Sequence, residues 1–448
     1  MRFAYNILFV IFFWLSAPWY FLKMSRRPNW RPGFMQRFGF YGTEAKKTEG
    51  GRTVLWLHAV SVGEVGICLQ LIRALEPRLP TFQFVVSTTT STGMGELTRR
   101  LPPHIPRFYY PADFFGVVRR ALNTFRPGAV ILVEAELWPN FLWEAINRKI
   151  PLFLVNARIS NRSFPRYRRA GFLFRPIFSR FRAVGCQEAG DAERLRELGF
   201  PATGVRQVGN LKFDAAQPDI RPGLDAGALL RQIGVSETAK ILVAGSTHAG
   251  EEGVLAEIFL RLRKRFPELF LVLVPRHVER TAEVAQELTS HGVRFMRRTE
   301  IKPGEVDCLL VNSTGELKYF YEIADLVFVG KSLTTKGGQN PIEPAALGKA
   351  VVFGPNMQNF TSIVRGFLAA QAVVQVSDAA DLEKTVGELL SDERRRADLG
   401  ARARQIVQQN LGATERTVEL ICEQLARSEF IAGTATSARE LGNDLKRE

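Results

Sequence analysis

Residues 337–359 read GGQNPIEPAALGKAVVFGPNMQN. Gly337 and Gly338 permit close backbone approach, Asn340 suits a helix N-cap, Pro341 its first position, and Ile342 and Glu343 its first turn. Gly348 predicts the end of that helix, and residues 350–353 predict a buried strand closed by a Gly-Pro turn. A helix N-terminus at a strand edge favours a phosphate, whereas an ionised Glu one turn inside it does not, unless its carboxylate accepts hydrogen bonds from sugar hydroxyls. The pairing points to a nucleotide, with phosphate on the amides and a ribose diol on Glu343.

Working outward, the same alternation of short apolar runs and amphipathic stretches fills most of the chain. Runs at 54–58, 83–87, 129–133, 152–156, 182–186 and 204–208 predict one series of strands. A second series is expected at 241–244, 269–274, 292–295, 308–311, 326–329 and 351–353. Helical patterns lie between them, which is the rhythm of a parallel α/β sheet. The two series are separated by residues 215–239, richer in Pro, Asp and Gly, which read as a linker. The expected organisation is an anchor and basic flank at 1–33, a first domain at 34–214, a second at 240–427 that includes the terminal helices, and a polar tail at 428–448. Two parallel-sheet domains facing one another would form a cleft.

The anchor is read from residues 3–22, an apolar and aromatic run interrupted only by Asn6, Ser16 and Pro18. Lys23, Arg26, Arg27, Arg31 and Arg37 follow it and only Arg2 precedes it, so the positive-inside rule puts the rest of the chain on the cytoplasmic side. Pro18 and the belt of Trp14, Trp19, Tyr20 and Trp30 leave open whether the segment spans a membrane or lies in its interface.

At 448 residues, with 46% hydrophobic and 23% charged residues, the chain has the length for two globular domains. A formal charge of +15 calls for nucleic acid, an anionic membrane face or an acidic substrate, and charge alone does not choose among them. Cys68, Cys186, Cys308 and Cys422 are far apart and form no C-x-x-C pair, so neither a zinc site nor a disulfide framework is indicated, and buried thiols are expected. No G-x-x-x-x-G-K-[ST] loop, no G-x-G-x-x-G after the first strand and no D-x-D pair occurs, so transfer from an activated nucleotide donor without a metal fits better than nucleoside triphosphate hydrolysis.

Several strand ends carry groups suited to chemistry. Glu64 follows the first strand and opens a helix; Ser61 and Glu64 also have the spacing of a capping box, which needs no function. A carboxylate in a partly apolar cleft would suit a general base. Glu134 and Glu136 end another strand, and an i, i+2 pair in extended chain points one way, a costly arrangement unless cations or hydroxyls meet it. Lys212 is a candidate cation. In the second series, Gly245-Ser-Thr-His248 could present amides to a phosphate, Pro275 and Arg276 end a strand, and Gly315, Glu316 and Leu317 lie between a strand and a helix.

Taken together and in order, HAVSVGE, EAELWPN, NARIS, GNLKFD, GSTHAGEE, PRHVER, STGEL and GGQNPIEPAALGKAVVFGP resemble the 3-deoxy-D-manno-octulosonic acid (Kdo) transferases of lipopolysaccharide assembly. The resemblance implies a two-domain GT-B architecture and metal-independent, inverting transfer from CMP-Kdo to a lipid A precursor (lipid IVA) at the cytoplasmic face of the inner membrane. It implies Glu64 as the base that deprotonates the acceptor hydroxyl, and Glu134 and Lys212 as stabilisers of the transition state. CMP contacts are implied at Pro275 and Arg276, at Gly315, Glu316 and Leu317, and at Asn340, Pro341, Ile342 and Glu343. Gln339 stands where the family commonly has His. The basic charge would then meet lipid phosphates, the donor carboxylate and inner-membrane lipids, with no nucleic acid involved. Other readings at this level are a GT-B enzyme of UDP-sugars, such as an epimerase or the lipid A disaccharide synthase, and a membrane-anchored nucleic-acid-binding protein.

Overall fold

The run TVLWLHA forms β1 (Thr53–Ala59), the strand on which the first sheet is centred. Its side chains leave opposite faces in turn. Val54 and Trp56 join Phe108, Phe125 and Phe141 in one apolar cluster, and Leu55 and Leu57 join Val65 and Ile72 in another. Both faces are covered, which is why the strand reads as a continuous apolar run and not as an alternation. Trp56 is fully buried, its indole N–H donates to Ser87 Oγ at 2.7 Å, and its burial stabilises the sheet by about 2–3 kcal/mol.

The computed structural model describes residues 2–25, 32–42, 51–134, 137–161, 163–216 and 223–426. The chain forms two units, Met1–Ala215 with Leu411–Glu448, and Ala216–Asn410. In the first, β1 is joined by β2 (Phe82–Thr88), β3 (Arg107–Tyr109), β4 (Pro127–Val133), β5 (Leu152–Ala157), β6 (Ala183–Cys186) and β7 (Val205–Gln207), all parallel, in the order β3-β2-β1-β4-β5-β6-β7. Leu55 pairs with Phe84 on one side and Ala129 on the other. The winding direction reverses between β1 and β4, and an open α/β sheet leaves a crevice at such a point, beyond the strands' carboxyl ends.

The second unit repeats this plan. Its strands are β8 (Lys240–Thr247), β9 (Leu269–Pro275), β10 (Phe295–Arg297), β11 (Cys308–Leu310), β12 (Leu326–Val329), β13 (Ala350–Phe353) and β14 (Val374–Gln375). Their order is β10-β11-β9-β8-β12-β13-β14, with the reversal between β8 and β12. The fold class expected from the sequence is the one found. The differences lie at sheet edges: β3 and β14 are unanticipated, and β10 forms at Phe295–Arg297, beyond the expected 292–295. An edge strand of two or three residues pairs on one side only and carries too little apolar sequence to register as a run.

One assignment needs correction. The terminal helices were expected together in the second domain, but only the Glu393–Asn410 helix belongs to that unit. The chain then returns, and the Ala413–Ala426 helix lays Val418, Leu420, Ile421 and Leu425 on the first sheet's cluster with β1 and the Val62–Leu75 helix. An amphipathic pattern specifies a buried face, not which sheet will bury it. The return is latched by Asp214, whose carboxylate accepts hydrogen bonds from Gly412 N (2.8 Å), Thr414 N (2.6 Å) and Thr414 Oγ1 (2.7 Å). The second unit already includes the Ala226–Gln232 helix, inside the stretch read as linker. The polar tail lies outside the described residues. Cys68, Cys186 and Cys308 are buried free thiols and Cys422 is half-buried.

Asp214→Ala removes the acceptor of three hydrogen bonds and should lower the stability of the first unit by about 1–3 kcal/mol. Urea unfolding of the full chain measures it, and an unchanged midpoint would remove the latch from this account.

Candidate functional site

In the first unit, the carboxyl ends of β1 and β4 flank the winding reversal, and each delivers a carboxylate. Ser61 adopts an extended conformation (φ −100°, ψ 164°) and caps the Val62–Leu75 helix: its Oγ accepts from Glu64 N at 3.3 Å and donates to Glu64 Oε1 at 2.8 Å. Val60 N donates to Glu64 Oε2 at 2.9 Å, and Thr90 Oγ1 holds the Val60 carbonyl at 2.7 Å. The capping box is therefore real. It also fixes the direction of the carboxylate of a residue that is only 8% exposed.

His58 precedes this turn but takes no part in its chemistry. Its Nδ1 lies 2.9 Å from Ser87 Oγ, its ring stacks on Tyr110 at 3.9 Å, and burial pushes its pKa down to about 3, so it is a neutral core residue at physiological pH.

Glu134 follows β4 in the left-handed region, with φ +62°. Its backbone N–H donates to Val155 O at 2.9 Å, and its Oε1 receives Lys212 Nζ at 2.9 Å and Asn156 Nδ2 at 3.2 Å. The cation that the sequence required for this carboxylate is thus supplied by Lys212. Glu136, its expected partner, lies outside the described residues. The Lys212–Glu134 pair is 24% and 29% exposed, so it contributes about 1 kcal/mol to stability at most. Its greater effect is geometric, because a charge already paired is held in place.

The residue that organises this corner is Asn156, which the sequence reading quoted only within a motif. It is fully buried at the end of β5, with φ +53°. Its Nδ2 holds Glu134 and its Oδ1 accepts from Leu211 N at 3.1 Å. Its carbonyl accepts from Gln187 Nε2 at 3.0 Å, Gln187 Oε1 accepts from Asn210 Nδ2 at 2.9 Å, and Asn210 Oδ1 caps Lys212 N at 3.0 Å. One network therefore joins the ends of β4, β5 and β6 to the turn bearing Lys212. An Asn closing an otherwise apolar run was the available signal.

The second unit has a different organiser. Glu251 is fully buried in the first turn of the Glu251–Arg263 helix, and its carboxylate accepts from His248 N (2.9 Å), Lys331 N (2.7 Å), Ser332 N (2.9 Å) and Leu333 N (3.0 Å). It ties the loop after β8 to the loop after β12, across the winding reversal. Glu252, also fully buried, accepts from Thr247 Oγ1 at 2.9 Å and pairs with Arg280 at 2.8 Å. The His248 amide, read from the sequence as available to a phosphate, is taken by Glu251. The neighbouring His248 ring is partly buried, which pushes its pKa down to about 4 and keeps it neutral at physiological pH.

Around this hub stand the other strand ends. Gly245 lets Tyr321 approach, since a Cβ there would sit 2.1 Å from the phenol oxygen. Pro275 is buried at the end of β9, and Arg276 is exposed beyond it, its N–H on Thr247 O at 3.0 Å. Gly315 takes φ +85° in an open turn, and Glu316 pairs with Arg298 at 3.1 Å as the Leu317–Ile323 helix begins. Gly338 packs so close to Met357 that a Cβ would lie 2.4 Å from its sulfur, the close approach anticipated for this glycine pair.

The helix that follows is Ile342–Ala346, five residues, starting one position later than expected. Asn340 Oδ1 accepts from Ile342 N at 3.0 Å, and Asn340 Nδ2 donates to Glu343 Oε1 at 3.0 Å. Asn340 and Glu343 thus orient each other, and the Ile342 amide is already satisfied.

The family model for "3-Deoxy-D-manno-octulosonic-acid transferase (kdotransferase)" matches residues 32–215, and that for "Glycosyl transferases group 1" matches residues 255–406. The 3-deoxy-D-manno-octulosonic acid transferase of Haemophilus influenzae is 32% identical over 435 residues, covering 95% of this chain and 99% of its own. That of Bordetella pertussis is 34% identical over 428 residues, covering 90% and 96%. Among solved structures, a UDP-GlcNAc 2-epimerase from Neisseria meningitidis bound to UDP-GlcNAc matches with a TM-score of 0.54 and 14% identity, over 83% of this chain and 100% of that one. That likeness is one of fold, and it agrees with the two-domain GT-B class.

Glu251→Ala leaves four backbone amides without their acceptor and should destabilise the second unit by about 3 kcal/mol or more, with Glu251→Gln losing less because one amide oxygen remains. Denaturant unfolding ranks the three proteins; equal midpoints would show that Glu251 is not the organiser of these loops.

Proposed function

The chain belongs to the 3-deoxy-D-manno-octulosonic acid (Kdo) transferase family, glycosyltransferases of lipopolysaccharide biosynthesis, and we propose that it performs an inverting, metal-independent transfer from CMP-Kdo to a lipid A precursor of the lipid IVA type. The observation that carries this reading is the pair of prepared carboxylate corners at the ends of β1 and β4: Glu64 oriented by Ser61 and Val60, and Glu134 bound to Lys212.

In this mechanism Glu64 takes the proton of the acceptor hydroxyl as its oxygen attacks the anomeric carbon of Kdo. The bond from that carbon to the phosphate oxygen breaks, and CMP departs with the electron pair. The developing oxocarbenium charge is partly offset by the donor's own carboxylate. Lys212, held by Glu134, meets the negative charge of the transition state. Pro275, Arg276, Gly315, Glu316, Leu317, Asn340, Pro341, Ile342 and Glu343 form the CMP side. Arg276 supplies positive charge to the phosphate, and Glu343, oriented by Asn340, accepts from the ribose hydroxyls. Because Glu251 occupies amides of the β8 and β12 loops, the phosphate is assigned to Arg276 and the Gly315 turn ahead of the His248 amide. The membrane side of the reading places the enzyme on the cytoplasmic face of the inner membrane. It rests on the apolar first helix (Arg2–Ser25), which is long and apolar enough to cross a bilayer, and on the net charge of +15.

Glu64→Gln should fold normally and lose about 10²- to 10⁴-fold in turnover, the usual contribution of a general base. Near-normal transfer by the folded variant would reject the assignment. Mass spectrometry of lipid products after incubation with CMP-Kdo and a tetra-acylated lipid A precursor tests the reaction itself. The expected result is a ladder in Kdo increments that is the same with and without EDTA. No ladder would overturn the substrate reading, and loss of it in EDTA would overturn metal independence.

A further inference from the structure

The first helix carries two opposed stripes. On one, Arg2, Tyr5, Asn6, Phe9 and Phe13 recur at helical spacing, and the first unit engages all of them. Tyr5 Oη donates to Asp113 Oδ2 at 2.8 Å. Asn6 and Asn140 exchange amide hydrogen bonds at 2.9 and 3.3 Å. Arg2 pairs with Glu144 at 3.2 Å and lies 4.7 Å over the Phe115 ring, while Phe9 and Phe13 stand edge-on to Phe114 at 5.1 and 4.8 Å. Asp113 also accepts from Asn140 N (3.0 Å) and Phe141 N (2.9 Å), so the contact is built into the start of the Pro139–Asn147 helix. On the other stripe, Phe3, Ile7, Ile11, Leu15, Trp19 and Leu22 are exposed, Leu15 to 79%.

This arrangement is incompatible with a helix that crosses a bilayer. The 24 residues would measure about 36 Å, sufficient for a hydrocarbon core of about 30 Å. A crossing helix has its ends on opposite sides and lipid around its middle. Here residues 2–13 are bonded to a folded α/β unit through an ion pair and amide contacts, and residues 14–25 alone would reach only about 18 Å. The segment that follows is tied to the same unit: Gln36 Oε1 accepts from Tyr109 N at 2.9 Å, and Arg37 O from Ala112 N at 2.8 Å.

We propose that the first helix is an in-plane anchor, one stripe fixed to the first unit and the other sunk at the headgroup–acyl boundary of an anionic bilayer, with both helix ends on the same side. An apolar stripe bearing Trp19, with Trp14 beside it, suits that boundary, and a chain of charge +15 suits an anionic headgroup layer. The occupant is lipid, not a second protein helix. This inference rests on the membrane side of the proposed function and replaces the spanning alternative with a monotopic one.

The test uses the full chain with an epitope at each terminus, in sealed inner-membrane vesicles of known orientation, with protease added outside. The expected result is that both epitopes are digested in vesicles exposing the cytoplasmic face and both are protected in the opposite orientation. Epitopes with opposite accessibility would overturn the in-plane anchor while leaving Kdo transfer untouched. Chain that fails to sediment with the vesicles at all would overturn the anchor together with the membrane reading. Transfer assayed on the same preparations keeps the catalytic reading separate from both outcomes.

Discussion

Backbone amides in turns and at helix starts need acceptors, and in this protein buried or half-buried carboxylates supply several of them. Glu251 collects four, Asp113 takes Asn140 N and Phe141 N, Asp214 takes Gly412 N and Thr414 N, and Glu64 takes Val60 N. A buried donor without a partner costs about 1–3 kcal/mol, so these carboxylates are part of the fold before they are part of any chemistry. Each ties segments that are distant in sequence: Glu251 joins two loops eighty residues apart, Asp113 a helix start to the first helix, and Asp214 the returning C-terminal helix to the first unit. These turns have backbone donors already spent on these carboxylates.

These bonds have a chemical consequence. A carboxylate that occupies amides also repels a phosphate, so the His248, Lys331, Ser332 and Leu333 amides are not offered in the manner of a phosphate-binding loop. Side-chain cations stand at other strand ends, Arg276 exposed beyond β9 and Lys212 paired with Glu134 at 2.9 Å. Lys212 shows the second half of this arrangement. Its ion pair with Glu134 adds little stability, yet through Asn156 the pair is referenced to three strand ends, which fixes where the cation sits.

Much of the fold was legible because parallel strands buried on both faces have to be continuous apolar runs. The central strands, such as Thr53–Ala59 and Leu269–Pro275, fall where those runs fall. What escaped was whatever carries no such run: the two- and three-residue edge strands, and the choice of sheet made by the Ala413–Ala426 helix. The candidate site was partly legible for a related reason. Glu64, Glu134 and Lys212 stand beside glycines and strand ends, where polar residues invite attention, and the structure brings Glu134 and Lys212 together at 2.9 Å. Asn156 and Glu251 do their work through backbone groups remote in sequence, so spacing could not reveal them. The opening stretch around Asn340 was read correctly as helix then strand, but its helix is too short to offer the amides expected of it.

The two readings of Glu64 that competed at the level of sequence turn out not to be alternatives. A capping box explains why Ser61 and Glu64 stand three residues apart, and the role proposed for Glu64 as base would require a carboxylate held in one direction. The hydrogen bonds from Val60 N and Ser61 Oγ that belong to the cap also set the direction of the carboxylate. The helix start costs the carboxylate its rotamer freedom, and that same loss is the orientation that proton abstraction needs. A flexible Glu at this position would have to be ordered in every catalytic cycle; a capped one is ordered once, when the chain folds.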